Sequence, residues 1–160
     1  MGLTISVEGL EDVLEALESL GQKELFDAAR PGLRKGLTLI KDDAQALCPL
    51  DTGDLREKIK TRIRVEKDGL RGEVYSGAPH GIYVEMGTGP KGEAKHDGVN
   101  PEWAAQVTYS PKGWHAPIKG EVRFIKGYAA RPFLYPAFKA NEKRAQEEVA
   151  KAIVRHVRGG

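Results

Sequence analysis

The longest regular pattern in the chain lies between Gln22 and Leu47. There Leu25, Phe26, Ala29, Leu33, Leu37, Ile40, Ala44 and Leu47 form an apolar stripe at helical spacing. Pro31 and Gly32 interrupt the stripe, which predicts a kink or two abutting helices, because proline removes a backbone bond and crowds the preceding turn. Cys48-Pro49 ends it. Upstream, Leu10, Val13, Leu14, Leu17 and Leu20 oppose Glu11, Glu15 and Glu18, which predicts an amphipathic helix over 8–20 capped by Gly21. Leu3, Ile5 and Val7 alternate with polar residues as a short strand does.

The clearest β signal is 59–66, where apolar or β-branched residues alternate with charges. Asp68-Gly69 has the chemistry of a tight turn, and Leu70–Tyr75 returns as the partner strand. Residues 77–127 then hold nine of the 19 glycines and five of the nine prolines. Within them Trp103–Tyr109 and Glu121–Ile125 are expected as strands, with a turn at Ser110–Gly113. Residues 87–100 carry Lys91, Glu93, Lys95, His96 and Asp97 with few apolar anchors, which predicts the mobile part of a long loop. Helical period returns from Pro136 with Phe138, Ala145, Val149, Ile153 and Val157. Lys139, Lys143, Arg144, Lys151, Arg155 and Arg158 lie outside that stripe. The expected fold is α+β: a mainly antiparallel sheet with a long kinked helix and a C-terminal helix on one face, and a glycine-rich insertion at about 88–127. Residues 1–160 read as one domain.

Composition excludes several classes. Twenty-five Lys and Arg stand against 23 Asp and Glu, a formal charge of +2, which lacks the strong basic excess of a general nucleic-acid binder. No run approaches the ~18 apolar residues of a membrane span, so no membrane partner is expected. The first residues lack the basic and apolar regions of a signal peptide. The single cysteine, Cys48, excludes an internal disulfide framework or a thiolate zinc cluster and is expected to be a buried small hydrophobe.

Catalytic patterns are missing. His80, His96, His115 and His156 are scattered, and adjacent His96 and Asp97 cannot close a tetrahedral site. Asp51-Thr52-Gly53-Asp54 does not continue as a calcium loop. It is better read as an N-cap, Asp51 or Thr52, for a helical turn over Asp54–Ile59. Gly87-Thr88-Gly89-Pro90-Lys91-Gly92 lacks the spacing of a phosphate cradle, and no Gly-x-Ser-x-Gly elbow occurs. No enzyme activity, cofactor or metal is expected.

Three islands remain: Ala46–Arg56 (ALCPLDTGDLR), Ile82–Thr88 (IYVEMGT) and Ala130–Ala137 (ARPFLYPA). In order and spacing they resemble the bacteriophage neck and tail-component family typified by the tenth gene product of phage Hong Kong 97. That family places Pro-x-x-Thr-Gly-x-Leu-Arg after a long helix, Tyr-x-x-Glu-x-Gly-Thr after a hairpin and Pro-Phe-Leu-x-Pro-Ala at the start of a C-terminal helix. The matching residues are Pro49, Thr52, Gly53, Leu55, Arg56, Tyr83, Glu85, Gly87, Thr88, Arg131, Pro132, Phe133, Leu134 and Pro136.

The resemblance implies a structural virion protein at the head–tail junction, a neck or tail-completion subunit assembled as a homo-oligomeric ring. It implies neighbours such as stopper, tail terminator and tail tube proteins, a place in the virion, and host cytoplasm during assembly. Non-specific contact with passing DNA would be incidental. The alternatives are a nucleic-acid module using the basic C-terminal helix and a small hydrolase with an unrecognised site. The islands are expected to be fold signatures. Glu85 is expected to pair internally with Arg56 or Arg131, Gly87 to hold a backbone shape that would strain other residues, and Phe133, Leu134 and Phe138 to be buried. The surfaces expected to meet neighbours are the sheet edge at Leu70–Tyr75 and the loop 87–127.

Overall fold

The computed structural model describes residues 2–5, 21–49, 53–67, 69–89, 98–107 and 110–159. The helix expected over 8–20, the capping role of Asp51 or Thr52, and the 90–97 stretch with His96 and Asp97 lie outside the described residues. The fold is α+β. Strand β1 (Gly2–Ile5) is followed by helix α1 (Gln22–Leu47), the short α2 (Asp54–Glu57), strands β2 (Ile59–Glu66) and β3 (Gly69–Ser76), and α3 (Gly81–Met86). The short α4 (Pro101–Ala104), strands β4 (Trp114–Ile118) and β5 (Glu121–Ile125), and helix α5 (Leu134–Val157) complete it.

Helix α1 runs unbroken for 26 residues with Pro31 inside it. The proline forfeits one bond, to the carbonyl of Asp27, and both residues are exposed, so water can take the bond's place. Helices α1 and α5 lie antiparallel: Glu24 faces His156, Gly32 meets Val149, Gly36 meets Ala145, and Asp43 accepts from the Asn141 amide. They approach so closely that a Cβ built on Gly32 would sit 2.3 Å from the Glu148 carbonyl oxygen, and one on Gly36 would sit 2.7 Å from the Ala145 Cβ. Gly32 therefore does not end a helix. It lets a second one in.

β1, β3 and β2 form a three-stranded antiparallel sheet in that order. Ile59 and Val74 are buried and Ile63 half-buried on the face toward α1, while Lys60, Arg62, Arg64 and Arg71 stand exposed on the other. A Cβ on Gly72 would strike Leu33 and Leu37, so this glycine lets α1 lie against the strand. The buried core joins Leu33, Leu37, Ile40 and Ala44 of α1 to Phe133, Leu134, Ala137, Phe138, Ala145, Val149 and Ile153. The expected burial of Phe133, Leu134 and Phe138 holds, as does that of Cys48.

Four expectations are corrected. β3 is the central strand, so Leu70–Tyr75 is not the open edge expected: β1 covers Gly72–Tyr75 on the side that the hairpin left open. Glu66 pairs with Gly69, so Gly69 already belongs to β3 and is not the turn residue expected. The turn of helix after Gly53 ends at Glu57, and Ile59 already belongs to β2. Its capping position is Gly53, at φ +75°. Of the strand expected over Trp103–Tyr109, residues 103–107 are described and are not extended. Asn100 Oδ1 accepts from the Glu102 and Trp103 N–H groups at 2.9 and 3.4 Å, and Pro101 occupies the first helical position, so a capped helical turn forms at 101–104. The expected strand Glu121–Ile125 is present and pairs with Trp114–Ile118.

The close approach makes a prediction. Gly36→Ala gains about 1 kcal/mol of helix propensity but forces an overpacking cost of about 1–3 kcal/mol. Net destabilisation is expected, and Ala145→Gly should couple to it by about 0.5–3 kcal/mol in a double-mutant cycle read by urea denaturation. Strictly additive effects would mean that the helices do not touch there.

Candidate functional site: a carboxylate clasp between two motif islands

A helix start leaves its first N–H groups without partners inside the helix. At the start of α5 the capping position is Phe133, which has no side chain able to accept them. The acceptor comes from 48 residues upstream. Glu85, in the last turn of α3 and fully buried, takes the Phe133 and Leu134 N–H groups on Oε2 at 2.7 and 2.9 Å and the Tyr135 N–H on Oε1 at 2.9 Å. The next residue, Pro136, has no N–H to satisfy. One carboxylate thus satisfies the available donors of the helix start and places negative charge at the positive end of its dipole.

Neighbouring backbone bonds extend the clasp. Arg131 N–H donates to the Val84 carbonyl at 2.8 Å, and Thr88 and Tyr128 exchange N–H to carbonyl bonds at 2.8 and 3.1 Å. Residues 84–88 are therefore zipped to 128–135. Gly87, at φ +72°, turns the chain from α3 into this zipper, as expected of it. Gly127 is pressed so close that a Cβ there would meet the Thr88 carbonyl oxygen at 1.9 Å.

The first island approaches from the other side. Leu55 is buried against Gly81 at the start of α3, and Gln45 donates to the Arg56 carbonyl at 3.0 Å. Cys48 is buried, and loss of solvent pushes its thiol upward while Arg56 pulls it down, which keeps it a protonated hydrophobe at neutral pH. Of the remaining motif residues, Thr52 lies outside the described residues. Pro49, Pro132 and Pro136 are half-buried, and Tyr83, Arg56 and Arg131 are exposed.

The expected ion pair between Glu85 and an arginine is not formed. Backbone N–H groups of the helix start take the buried carboxylate instead, and both arginines remain exposed. Burial raises the Glu85 carboxyl above its ordinary value of 4.5, against the pull of its three N–H bonds. Among the described residues no group of three or more His, Cys, Asp or Glu side chains is placed to hold a metal. None of their helices is long and apolar enough to cross a membrane.

Gly36 and Asn141 are structural residues that motif reading missed. A Gly-x-x-x-Gly spacing at Gly32 and Gly36 was the available signal for the first. Nothing in the sequence marks Asn141 as buried, where it bonds the Ala137 carbonyl and Asp43.

The buried Glu85 carboxylate thus joins α3 to the start of α5. Residues 11–87 match the model of the family described as "Bacteriophage HK97-gp10, putative tail-component". The resemblance to that family therefore holds over a stretch containing most of the first two islands, and the clasp ties the second of them to the third, which lies beyond the match. No curated protein and no solved structure matches the chain.

Two predictions follow from the clasp. Glu85→Ala should cost about 3 kcal/mol, since it orphans buried donors bonded to a charged acceptor. Glu85→Gln should cost less, because its carbonyl keeps two donors while its amide opposes the third. The pH dependence has a definite sign. A carboxyl raised in the folded state contributes most below its unfolded pKa and loses that contribution as pH rises through the folded value. The stability advantage of the native protein over Glu85→Gln should therefore shrink from pH 4 toward neutrality in urea titrations. An advantage that grows over this range would show that the N–H bonds outweigh burial.

Proposed function

We propose that the protein is a structural subunit of a phage neck or tail-completion complex, acting where head and tail join. The observation that carries this reading is the tail-component match over residues 11–87. The structural role of the third island, whose backbone completes the Glu85 clasp, supports extending the match to the C-terminal helix. In this reading the subunits form a homo-oligomeric ring that presents the same surfaces to stopper, terminator and tail tube neighbours, and work by docking with no chemical step. The protein resides in the virion and passes through host cytoplasm during assembly. Contact with passing DNA is incidental: on α5, Lys139 and Lys151 already pair with Glu142 and Glu148, which lessens the positive face available to phosphates.

Disrupting the gene in its phage should leave filled heads and separate tails with few joined particles, as seen by electron microscopy of the lysate. Normal numbers of complete infectious particles would refute the neck reading, and a block in DNA packaging would move the role to the head.

A further inference from the structure

Strands β4 and β5 form a two-stranded sheet of their own. Two strands alone are marginal in water, and a third or fourth with an apolar face is what ordinarily makes a sheet stable. This hairpin nevertheless exposes apolar side chains: Val122 is 72% exposed and Phe124 49%. The cross-strand register puts His115, Pro117, Val122 and Phe124 on one face, where the His115 and Phe124 rings lie 5.1 Å apart. The opposite face carries Trp114, Ala116, Ile118, Ile125, Arg123 and Glu121.

The two edges of the hairpin differ. Lys119 and Gly120 both have positive φ, as a two-residue type I′ turn requires, so the closing pair Ile118 and Glu121 is hydrogen-bonded. Alternation then makes Pro117 and Val122 a non-bonded pair, whose main-chain groups point outward. On β4 the outward positions are His115 and Pro117, and the proline has no N–H to give, so that edge is blunted beside the turn. On β5 the outward positions are Val122 and Phe124, with N–H and carbonyl available on both, and no strand covers them among the described residues.

We propose that the free edge of β5 pairs antiparallel with β5 of a second copy of this chain. The charge pattern selects both the partner and the register. With Val122 opposite its own copy, Glu121 falls opposite Arg123 of the partner chain and Arg123 opposite Glu121, so the contact is two-fold and self-complementary. Both side chains are well exposed and already paired within the strand at 2.9 Å, so the dimer would assemble a row of four alternating charges. Shifting the register by two residues would set Arg123 against Arg123, which is unfavourable. The result is a four-stranded sheet with Val122 and Phe124 of both chains along one apolar face. A ladder this short belongs with weak, concentration-dependent contacts. It closes with two chains and does not depend on the neck reading, so either can fail alone.

The test is sedimentation velocity of the purified full-length protein over a wide range of concentration. The native protein should shift from monomer toward dimer as concentration rises. Val122→Pro, which removes an outward N–H and leaves the β4–β5 ladder bonds in place, should remain monomeric with an unchanged circular dichroism spectrum. Glu121→Arg should abolish the dimer, and adding Arg123→Glu to it should restore dimerisation by reversing both signs. A native protein that is monomeric throughout, a Val122→Pro variant that still dimerises, or a double reversal that fails to restore pairing would each overturn the proposal.

Discussion

The antiparallel contact between α1 and α5 sets the position of most of what surrounds it. At Gly32 and Gly36 the two backbones come within the radius of a missing methyl group, so even alanine at either position would force them apart. Asn141 and Asp43 then hold the register, because a buried amide with a specific acceptor cannot slide by a turn without losing it. Leu33 and Leu37 meet Gly72 on the next side of α1, which seats the sheet. One helix is thus gripped by close approach on two sides, and the core between them follows.

Given that contact, the start of α5 must lie beneath α3, and its unpaired N–H groups come with it. A local Ser or Asp cap could have satisfied them. Glu85 does so from another part of the chain, so capping the helix also closes the chain over residues 84–135. This explains why a charged residue sits in the middle of an otherwise apolar and glycine-bearing motif. Its cost is burial of a carboxyl group, which shifts it upward, and three directed hydrogen bonds offset that cost only in part.

The hairpin β4–β5 obeys different rules. At its base Gly89 and Gly127 meet too tightly for a side chain, and the residues of the two strands are mostly exposed. The blunted edge at Pro117 and the open edge at Val122 are local chemistry, not consequences of the core. The base of the hairpin is held by the contacts at Gly89 and Gly127, while Val122 and Phe124 stay exposed.

Local periodicity determined much of this protein by itself. The stripes at 22–47 and from 136, the alternation at 59–66 with its return strand, and the strand at 121–125 all form where spacing places them, because each buries a face set by backbone period alone. The first two islands were legible as a resemblance for the same reason, as short strings of turn and core residues, and most of their length lies within the matched stretch 11–87. Long-range pairing was not legible. Glu85 looked for a guanidinium because charge favours opposite charge in sequence, but the fold delivered a helix start 48 residues away. Likewise the β3 edge looked open until β1 paired with it, and Pro31-Gly32 looked like a break until a second helix lay across it. Asn100-Pro101 did carry a helix-start signal, yet the alternation after it read as a strand. Spacing along the chain decides which face a residue occupies, but only three-dimensional closure decides which group is near enough to meet it.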